Sequence, residues 1–353
     1  MRAFVLAAGR GERLGPLGER VPKPLLPLGG TPLIRFALAK LRRAGVEEAV
    51  VNLHHGAEAL RAELGEECEG LRLRFSHEPE LLGTAGGLKK AEPFLCETGE
   101  PFFVLNADTP CGADLGAALE HHRRGGFLAT LILRAAPEAA RYGLLGVDGE
   151  GRLRRFLEAR APGPAEGGVT EAMFTGLSVL DPALLGHIPP GRPCGISEEV
   201  YPPLIEGGAR IGGFLTDAYW ADAGTPGRFL DANADLLSGR YVPELEWPRG
   251  GALLLEGREA PWGEGLLRPP VLVGEGAELG PGAVAGPFAI LGSGATLGRN
   301  ASAARTVLFP GARVAKGVSL DRCIVGAGAA AAPAGTPFGG AVFLADSGDP
   351  HPF

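Results

Sequence analysis

The chain has 353 residues, 45% of them hydrophobic and 21% charged, which predicts a globular protein large enough for two domains. A formal net charge of −7 leaves no basic face for nucleic acid, although a local cluster of donors suffices for small phosphorylated ligands. The five scattered cysteines lack the spacing of metal or redox sites, and no apolar run has the length of a signal peptide or a membrane span. We therefore expect a cytoplasmic protein that binds neither nucleic acid nor membranes.

Strands and helices alternate through the first two thirds of the chain. The apolar runs predict strands over residues 3–8, 49–53, 71–75, 102–105, 127–133, 174–180 and 219–220. Helical spacing and end signals predict helices over 57–64, over 114–123, near 198–206, from Pro32 with Thr31 as its cap, and from Thr225 and Pro226. A hairpin over 142–158 interrupts the alternation. This order predicts an α/β fold with a Rossmann-like, mostly parallel sheet, whose ligands lie beyond the carboxyl ends of its strands.

A six-residue repeat begins at Val273. Aliphatic residues at 273, 279, 285, 291 and 297 are each followed by glycine, and alanine recurs with the same period from Ala277 to Ala301. Three columns in register predict a short left-handed β-helix that slips near Ala304 and ends near Gly328. We therefore divide the chain into a first domain over 1–242, a linker over 243–267, a β-helix domain over 268–330 and a carboxyl-terminal tail over 331–353.

A glycine-rich loop follows the first strand and closes on Pro22-Lys23-Pro24. Gly9 and Gly11 allow backbone amides to approach phosphate oxygens, and Arg13 and Lys23 can offset the charge of a triphosphate. The third glycine of a dinucleotide-binding fingerprint is missing. A surface lysine in a turn fixed by proline is the competing interpretation of Lys23 alone. The loop as a whole favours the interpretation as a phosphate-binding loop.

Two aspartates follow the predicted strands. Asp108 ends a buried strand, and Asp222 lies just before a helix, so both can reach the ligand edge of the sheet. Two carboxylates there could hold Mg²⁺ against substrate phosphates. For each residue alone, a strand-end turn for Asp108 and a helix cap for Asp222 are the competing interpretations.

A run of small residues lies between the strand over 71–75 and the next one. Leu82-Gly83-Thr84-Ala85-Gly86-Gly87 would let a flat base lie against the backbone. An ordinary loop before a helix is the competing interpretation of this segment alone.

These features together resemble the sugar-1-phosphate nucleotidyltransferases, which make nucleoside diphosphate sugars from a nucleoside triphosphate (NTP). The family opens with Gly-x-Gly-x-Arg, then Pro-Leu, then Pro-Lys-Pro, and this arrangement stands within residues 9–24. The resemblance covers about the first two thirds of the chain, and many members carry a hexapeptide-repeat domain after it. It implies attack of the sugar-phosphate oxygen on the α-phosphorus of the NTP, with release of pyrophosphate and without a covalent intermediate.

Carried over position by position, the resemblance implies a role for each matching residue. Arg13 and Lys23 would hold the triphosphate, and Asp108 and Asp222 would bind Mg²⁺, so these four would be the catalytic residues. The nucleotide would contact Leu6, Ala8, Gly9, Gly11, Arg13, Lys23, Glu78, Gly83 and Thr84. The sugar would contact Gly143, Glu158, Thr175 and Gly176.

The chain departs from the family pattern at the sugar-binding glutamate. Many members follow it with Lys-Pro, whereas Glu158 is followed by Ala159, and Arg160 is a nearby charge that could replace the lysine. Glu12 and Gly18 stand where threonine is common. We expect these changes to adjust the loop without removing residues that the chemistry needs.

The nucleotide and the sugar remain open between two branches of the family. Residues 82–87 and the Val-Asn-Leu-His-His run over 51–55 look most like the mannose-1-phosphate guanylyltransferases. GTP and mannose 1-phosphate are therefore favoured over glucose 1-phosphate or an amino-sugar phosphate with UTP or dTTP.

Two other functions are less well supported by the sequence. A catalytically silent regulatory homologue that binds an NDP-sugar would be favoured if any of the four catalytic residues were missing, and all are present. Acyltransferases with hexapeptide repeats use a histidine base, and residues 250–350 contain no histidine. We therefore expect the β-helix to serve oligomerisation or regulation, and the protein to form a homo-oligomer.

Overall fold

A computed structural model describes residues 1–137, 139–254, 259–332, 337–345 and 350–353. The chain divides into two compact units, one of Met1–Gly9 with Ile34–Trp220 and one of Arg10–Leu33 with Ala221–Phe353. This division differs from the boundary predicted at residue 242, because residues 10–33 and 221–242 group with the β-helix.

The described residues of the first unit form an 11-stranded sheet. Its strands are β1 (Arg2–Leu6), β2 (Glu48–Leu53), β3 (Glu67–Cys68), β4 (Leu71–His77), β5 (Phe102–Asn106), β6 (Ala129–Arg134), β7 (Leu145–Asp148), β8 (Leu153–Phe156), β9 (Ala159–Arg160), β10 (Val169–Leu180) and β11 (Ile211–Thr216). The order is β9-β8-β7-β10-β5-β1-β2-β4-β3, and β6 pairs with both β10 and β11. Strands β4, β2, β1 and β5 run parallel, whereas β10 is antiparallel to β5. The predicted α/β class with a mostly parallel Rossmann-like sheet is confirmed.

Helices connect these strands and complete the first unit. They are α1 (Leu33–Arg43), α2 (Ala57–Leu64), α3 (Gly83–Lys90), α4 (Glu92–Leu95), α5 (Leu115–Gly125) and α6 (Tyr201–Glu206), and the last is preceded by one π-helical turn at Ile196–Val200. Short 3-10 helices span Ala139–Arg141 and Pro182–His187. The core contains Phe4 of β1, Val104 of β5 and Leu88 of α3, all buried.

Two details of the predicted elements are wrong. Helix α1 begins at Leu33, and Thr31 lies in a short strand with its hydroxyl lacking a hydrogen-bond partner among the described residues, so Thr31 is not the cap. Trp220 forms only an isolated bridge to Cys111, and the strand in this region is β11. Gly212 and Gly213 within β11 weaken the strand signal, which is why the sequence does not reveal it.

The second unit begins with the glycine loop. Its short elements are a 3-10 helix at Glu12–Leu14, a helix at Pro16–Arg20, a 3-10 helix at Lys23–Leu25 and a hairpin of Pro27–Leu28 with Thr31–Pro32. Helix α7 (Pro226–Leu237) follows, and the Thr225 hydroxyl accepts the Arg228 N–H as its cap, as predicted. Asn233 of α7 accepts a hydrogen bond from Gly29 N of the hairpin at 2.8 Å. The helix therefore fixes the segment that follows Lys23.

The β-helix is built from three sheets. The first contains Ala252–Leu254, Val271–Val273, Ala289–Leu291, Val307–Leu308, Ile324–Val325, Ala341–Phe343 and His351–Pro352. The second contains Ala260–Trp262, Gly265–Leu267, Val284–Ala285, Ser302–Ala304, Ser319–Asp321 and Pro337–Gly339. The third contains Glu278–Leu279, Thr296–Leu297, Arg313–Val314 and Ala330–Ala331. The strands therefore extend on both sides of the predicted 268–330 boundaries and beyond the predicted end at Gly328.

The glycine column of the repeat marks close approach between coils. A Cβ on Gly274 would lie 2.6 Å from Ser293 N, and one on Gly292 would lie 2.6 Å from Pro310 N. Alanine residues such as Ala283 and Ala301 are fully buried, because the narrow interior admits only small side chains there. The slip near Ala304 is a shortening of the coil, since Val271 pairs with Ala289 but Ile290 pairs with Val307.

The cysteines and the lengths of the helices are two further features of the described residues. All five cysteines are free thiols, and four of them are buried while Cys96 is half-buried. Among the described helices, none has the length and apolarity needed to cross a membrane. The predicted cytoplasmic location and homo-oligomer stay predictions.

Candidate active site

The glycine loop of the second unit has a tightly defined backbone. Gly11 and Gly15 have φ angles of 66° and 57°, which side-chain-bearing residues rarely adopt. Gly18 is equally constrained, because a Cβ there would lie 2.5 Å from the Gly11 carbonyl oxygen. Glycine at position 18 therefore avoids an overlap with the Gly11 backbone.

Three cationic side chains converge on the carboxylate of Asp222. The Lys23 Nζ lies 3.4 Å from Oδ1, and the Arg13 and Arg228 Nη1 atoms lie 3.2 Å and 2.6 Å from Oδ2. Lys23 is buried, whereas the Arg13 side chain is 63% exposed. The predicted partners Arg13, Lys23 and Asp222 are therefore brought together, and Arg228 joins them.

The charge of these neighbours keeps Asp222 ionised. Burial by itself raises the pKa of the Asp222 carboxyl, but the positive charges of Lys23, Arg13 and Arg228 outweigh burial and lower this pKa below its ordinary value. The cluster is therefore a charged, partly exposed group of one anion and three cations.

Asp108 lies in the first unit, in the turn that follows β5. Its Oδ1 accepts a hydrogen bond from the Thr109 hydroxyl at 3.1 Å, and its side chain is half-buried. Gly176 lies against the preceding strand end, because a Cβ at Gly176 would overlap the Asn106 side chain. Gly176 sits where the pairing of β10 with β6 is interrupted, with a φ of 84°. The predicted sugar-binding Gly176 and the end of β5 are thus neighbours.

A buried hydrogen-bond chain joins the two segments predicted to contact the base. The Asn52 Oδ1 accepts from Ala7 N at 2.7 Å and Ala8 N at 3.2 Å, and its Nδ2 donates to Glu78 Oε1 at 2.8 Å. The other Glu78 oxygen, Oε2, accepts from Leu82 N at 3.0 Å. Glu78 is fully buried, so its carboxylate fixes the position of both segments through these bonds.

The start of helix α3 is held by the segment around Cys194. Gly83 has a φ of 72°, and a Cβ there would lie 2.6 Å from the Cys194 carbonyl oxygen, so only glycine fits. The Thr84 hydroxyl accepts a hydrogen bond from Ile196 N at 2.8 Å. The Thr84 side chain thus anchors the start of the helix.

The residues predicted to contact the sugar lie around the hairpin and strand β10. The Thr175 hydroxyl donates to the Ile132 carbonyl at 2.7 Å, and its own carbonyl accepts from Trp220 Nε1 at 2.8 Å. The Trp220 ring meets the Tyr142 ring edge-on at 5.0 Å. Tyr142 precedes Gly143, so Gly143, Thr175 and Gly176 lie in the same region of the first unit.

Glu158 lies in the exposed turn between β8 and β9. The preceding Leu157 adopts a φ of 51° and packs on Gly143, where a Cβ would lie 2.5 Å from Leu157 Cδ2. The Arg160 Nη1 donates to the Leu157 carbonyl and, at 3.1 Å, to the Ala159 carbonyl. The Arg160 guanidinium, which was expected to replace the missing lysine, is therefore hydrogen-bonded to two backbone carbonyls of its own turn.

Two residues of the site were missed by sequence reasoning. Arg228 has no motif of its own, and its only signal is its place in the first turn of a helix that follows Asp222. Asn52 has a clearer signal, because it is a polar residue within the apolar run of β2. The assigned roles of the predicted site residues stay predictions.

The metal prediction rests on two carboxylates. Among the described residues, no group of three or more His, Cys, Asp or Glu side chains is arranged to hold a metal ion. Mg²⁺ does not require such a group, since it commonly uses one or two carboxylates with substrate phosphates and waters. The ionised Asp222 has the hard oxygen donors that this ion prefers.

Comparisons with known proteins give matches over most of the chain. A family profile described as nucleotidyl transferase matches residues 2–239. A mannose-1-phosphate guanylyltransferase of Mycobacterium tuberculosis is 33% identical over 280 residues, covering 78% of this chain and 76% of that protein. A UTP–glucose-1-phosphate uridylyltransferase of Synechocystis is 29% identical over 290 residues, covering 78% and 74%. Among solved structures, HddC from Yersinia pseudotuberculosis complexed with GMP-PN has the same fold, with a TM-score of 0.56, 22% identity and coverage of 67% of this chain and 99% of that one.

Proposed function

The chain belongs to the nucleotidyl transferase family, and from this premise we propose that it is an enzyme that joins GTP and mannose 1-phosphate into GDP-mannose and pyrophosphate. Transfer of a nucleotide to a sugar 1-phosphate is the general activity, and the choice of base and sugar is the specific part of the proposal. The relative of Mycobacterium tuberculosis and the run over 82–87 support the specific part.

The cluster of Arg13, Lys23 and Arg228 around Asp222 is the observation that carries the proposal. It follows a loop whose glycines hold positive φ angles, and it brings one lysine and two arginine side chains to a single carboxylate. A site of this kind suits a triphosphate, because guanidinium and ammonium groups form strong charge-assisted hydrogen bonds with phosphate oxygens.

The proposed reaction is a single displacement at the α-phosphorus. An oxygen of the sugar phosphate forms the new bond to phosphorus, and the bond from the α-phosphorus to the oxygen bridging to the β-phosphorus breaks. Pyrophosphate leaves with that bridging oxygen and its electron pair. Arg13 and Lys23 act by holding the triphosphate and offsetting the charge that grows on the leaving group.

Asp108 and Asp222 are the residues that would hold Mg²⁺. Both offer carboxylate oxygens, and Asp222 is ionised at neutral pH. When bound, the ion would offset triphosphate charge and polarise the α-phosphate.

UTP with glucose 1-phosphate is the second candidate pair. The uridylyltransferase of Synechocystis supports it with an alignment that covers a similar share of this chain. Both candidates use the same triphosphate residues, so they differ only in the segments that meet the base and the sugar.

A substrate panel tests the proposal directly. Purified protein is incubated with Mg²⁺, pyrophosphatase and each pairing of GTP, UTP, dTTP, CTP or ATP with common sugar 1-phosphates, and released phosphate is measured. We expect the highest kcat/KM with GTP and mannose 1-phosphate. No turnover with any pair would refute the enzyme and favour the silent regulatory homologue.

A pair of lysine variants tests the triphosphate residues within the same assay. Lys23→Met should lower kcat/KM by about a hundredfold or more, because a buried charge on the phosphates is lost. Lys316→Met is the matched control, since Lys316 is an exposed lysine of the β-helix. Equal activity of the two variants would contradict the assignment of Lys23.

A further inference from the structure

Gly29 is held by hydrogen bonds at both of its backbone groups. It lies in the turn of the hairpin that follows Lys23, and its N–H donates to Asn233 Oδ1 at 2.8 Å. Its carbonyl accepts from Trp247 Nε1, also at 2.8 Å. Its φ is 56°, and a Cβ there would overlap the Trp247 indole and the Leu236 side chain. Only glycine therefore fits between α7 and Trp247.

The Asn233 side chain is itself fixed in place. Asn233 is buried in α7, and its Nδ2 donates to the Phe229 carbonyl at 2.8 Å. The Phe229 ring packs edge-on against Phe309 of the β-helix, with 6.2 Å between the ring centroids. Asp231 of the same helix pairs with Arg322 of the β-helix at 2.9 Å. The β-helix therefore anchors α7, and α7 presents Asn233 to the hairpin.

The hairpin is hydrogen-bonded to the turn that contains Lys23. Lys23 lies six residues before Gly29, and its carbonyl accepts from Leu26 N at 3.1 Å. The Leu26 carbonyl in turn accepts from Leu33 N at 3.0 Å, which closes the hairpin. Leu26 and Leu28 are fully buried, so this segment has little freedom of its own. A displacement of Gly29 would therefore reach Lys23.

A cavity of about 120 Å³ lies beside the hairpin. It is lined by Pro27 and Gly30 of the hairpin and by Ile290 and Phe309 of the β-helix, among others. Packing of the hairpin on the β-helix is incomplete there, and groups that line a cavity lose dispersion contacts. The hydrogen bonds to Gly29 therefore contribute a larger share of what holds the hairpin.

We propose that Trp247 is a positioning residue for Lys23, because its indole N–H holds Gly29 and, through the hairpin, the lysine that would contact the triphosphate. This inference rests on the proposed function, which assigns Lys23 to the triphosphate. Trp247 precedes the first strand of the β-helix, Ala252–Leu254. The segment expected to be only a linker thus contributes to nucleotide affinity.

The competing interpretation is that the Trp247 hydrogen bond is purely structural. In that case its removal lowers the free energy of unfolding and leaves the affinity of the folded molecules unchanged. A positioning residue instead sets the share of folded molecules that have Lys23 in place. The apparent dissociation constant rises as that share falls.

Calorimetric titration with inorganic tripolyphosphate and Mg²⁺ separates the two interpretations. Trp247→Phe removes the indole N–H and keeps an aromatic ring. We expect its dissociation constant to rise about fivefold at a temperature where circular dichroism shows the variant to be folded. The probe has no base or sugar, so binding is measured whether or not the protein turns over any nucleotide.

Trp247→His tests whether the N–H itself is responsible. Histidine Nε2 lies two bonds from Cγ, as indole Nε1 does, so this ring can return a donor to the Gly29 carbonyl. Trp247→His should therefore bind tripolyphosphate more tightly than Trp247→Phe. It also supplies a second variant if Trp247→Phe does not fold.

Trp262→Phe is the matched control. Trp262 is half-buried like Trp247, and its Nε1 donates to the Ala277 carbonyl of the β-helix at 3.1 Å. The same N–H is thus removed from a backbone carbonyl of the same unit. This variant should bind tripolyphosphate like the wild type.

Hydrogen exchange followed by mass spectrometry is the second readout. The amides of residues 23–33 should exchange faster in Trp247→Phe than in the wild type, and Trp262→Phe should leave them unchanged. Unchanged tripolyphosphate binding or unchanged exchange in Trp247→Phe would overturn the proposal. Equal losses of binding in Trp262→Phe, or no binding by the wild type, would also overturn it.

The substrate panel keeps this result distinct from the proposed function. With a productive pair, Trp247→Phe should raise the KM for the NTP and keep the KM for the sugar 1-phosphate. Wild-type turnover together with unaltered tripolyphosphate binding by Trp247→Phe would refute only the role of Trp247. No turnover with any pair, together with binding that is weakened in Trp247→Phe alone, would refute the enzyme and retain Trp247 as a positioning residue.

Discussion

Replacement of Asn52 by alanine should loosen both of the segments that we propose to contact the base. The variant removes the acceptor of Ala7 N and Ala8 N and the donor to Glu78 Oε1, all in a buried region. Each lost hydrogen bond costs about 1 kcal/mol, and a buried group left without a partner costs about 1–3 kcal/mol. We therefore expect the free energy of unfolding to fall by about 3–4 kcal/mol, a large part of the roughly 5–15 kcal/mol of a typical domain.

The functional effect should be specific to the nucleotide. With the Asn52 side chain absent, the segment after β1 and the segment before α3 lose their common anchor, so the proposed base-contacting segments are no longer held in place. We expect the KM for the NTP to rise about tenfold at a temperature where the variant is folded, while the KM for the sugar 1-phosphate stays close to the wild-type value. Urea unfolding followed by circular dichroism and initial-rate kinetics provide the two measurements.

Thr306→Ala is the control for a purely structural effect. The Thr306 hydroxyl donates to the Ala304 carbonyl at 2.7 Å and accepts from Cys323 N at 3.2 Å, and the residue is fully buried in the β-helix. This variant should lose stability and keep both KM values. The reasoning about Asn52 fails if Asn52→Ala is destabilised with an unchanged KM for the NTP, or if its stability equals that of the wild type.

Three further predictions concern the first unit. Asp108→Asn should lower kcat by about a hundredfold or more with unchanged circular dichroism, if Asp108 is a metal ligand, and retained activity would reject that role. Gly176→Ala should lower both stability and kcat/KM, because the new Cβ overlaps Asn106 and the φ of 84° is strained for alanine, and a wild-type melting temperature would disprove it. Burial lowers the pKa of His122 from 6.5 to about 4. The unfolded state therefore takes up the proton first. The free energy of unfolding should fall as the pH drops from 6.5 towards 4, by up to about 1.4 kcal/mol per pH unit. His122→Gln, which keeps a polar side chain beside Thr130, should flatten that decline in urea titrations, and an unaltered slope would assign the acid sensitivity to other groups.

The sequence predicts an element well when its ends and its period are both marked. Helix α2 matches its predicted bounds, because glycines at 56 and 65 flank a regular apolar pattern. Strand β11 was missed because Gly212 and Gly213 hide it, and its place in the sheet comes from pairing with β6. The β-helix continues past Gly328 because pairing with the previous coil extends it through Ala341–Phe343, where the six-residue spacing of glycine is lost.

The residues of the candidate site also differ in how well the sequence predicts them. Arg13, Lys23 and Asp222 lie in recognisable motifs, and the fold joins them at the expected carboxylate. Arg228 lies in no motif, and its ion pair with Asp222 depends on a side-chain direction that spacing does not specify. The same limit applies to Arg160, which follows the expected position of a charge but directs its Nη1 to backbone carbonyls.

The segments proposed to contact the base and the residues proposed to hold the triphosphate are each fixed by a different kind of interaction. The base segments are fixed by neutral amides, a buried carboxylate and a glycine that admits no side chain, all of which resist rearrangement. The triphosphate residues are held by ion pairs to Asp222, with Arg13 and Arg228 partly exposed, and such pairs exchange partners readily and weaken with salt. Charge pairing with phosphates does not distinguish one base from another, because every NTP carries the same triphosphate. If the proposed roles hold, we expect discrimination between GTP and UTP to arise in the segments around Ala8 and Gly83, and Arg13 and Lys23 to contribute affinity that is shared by all NTPs.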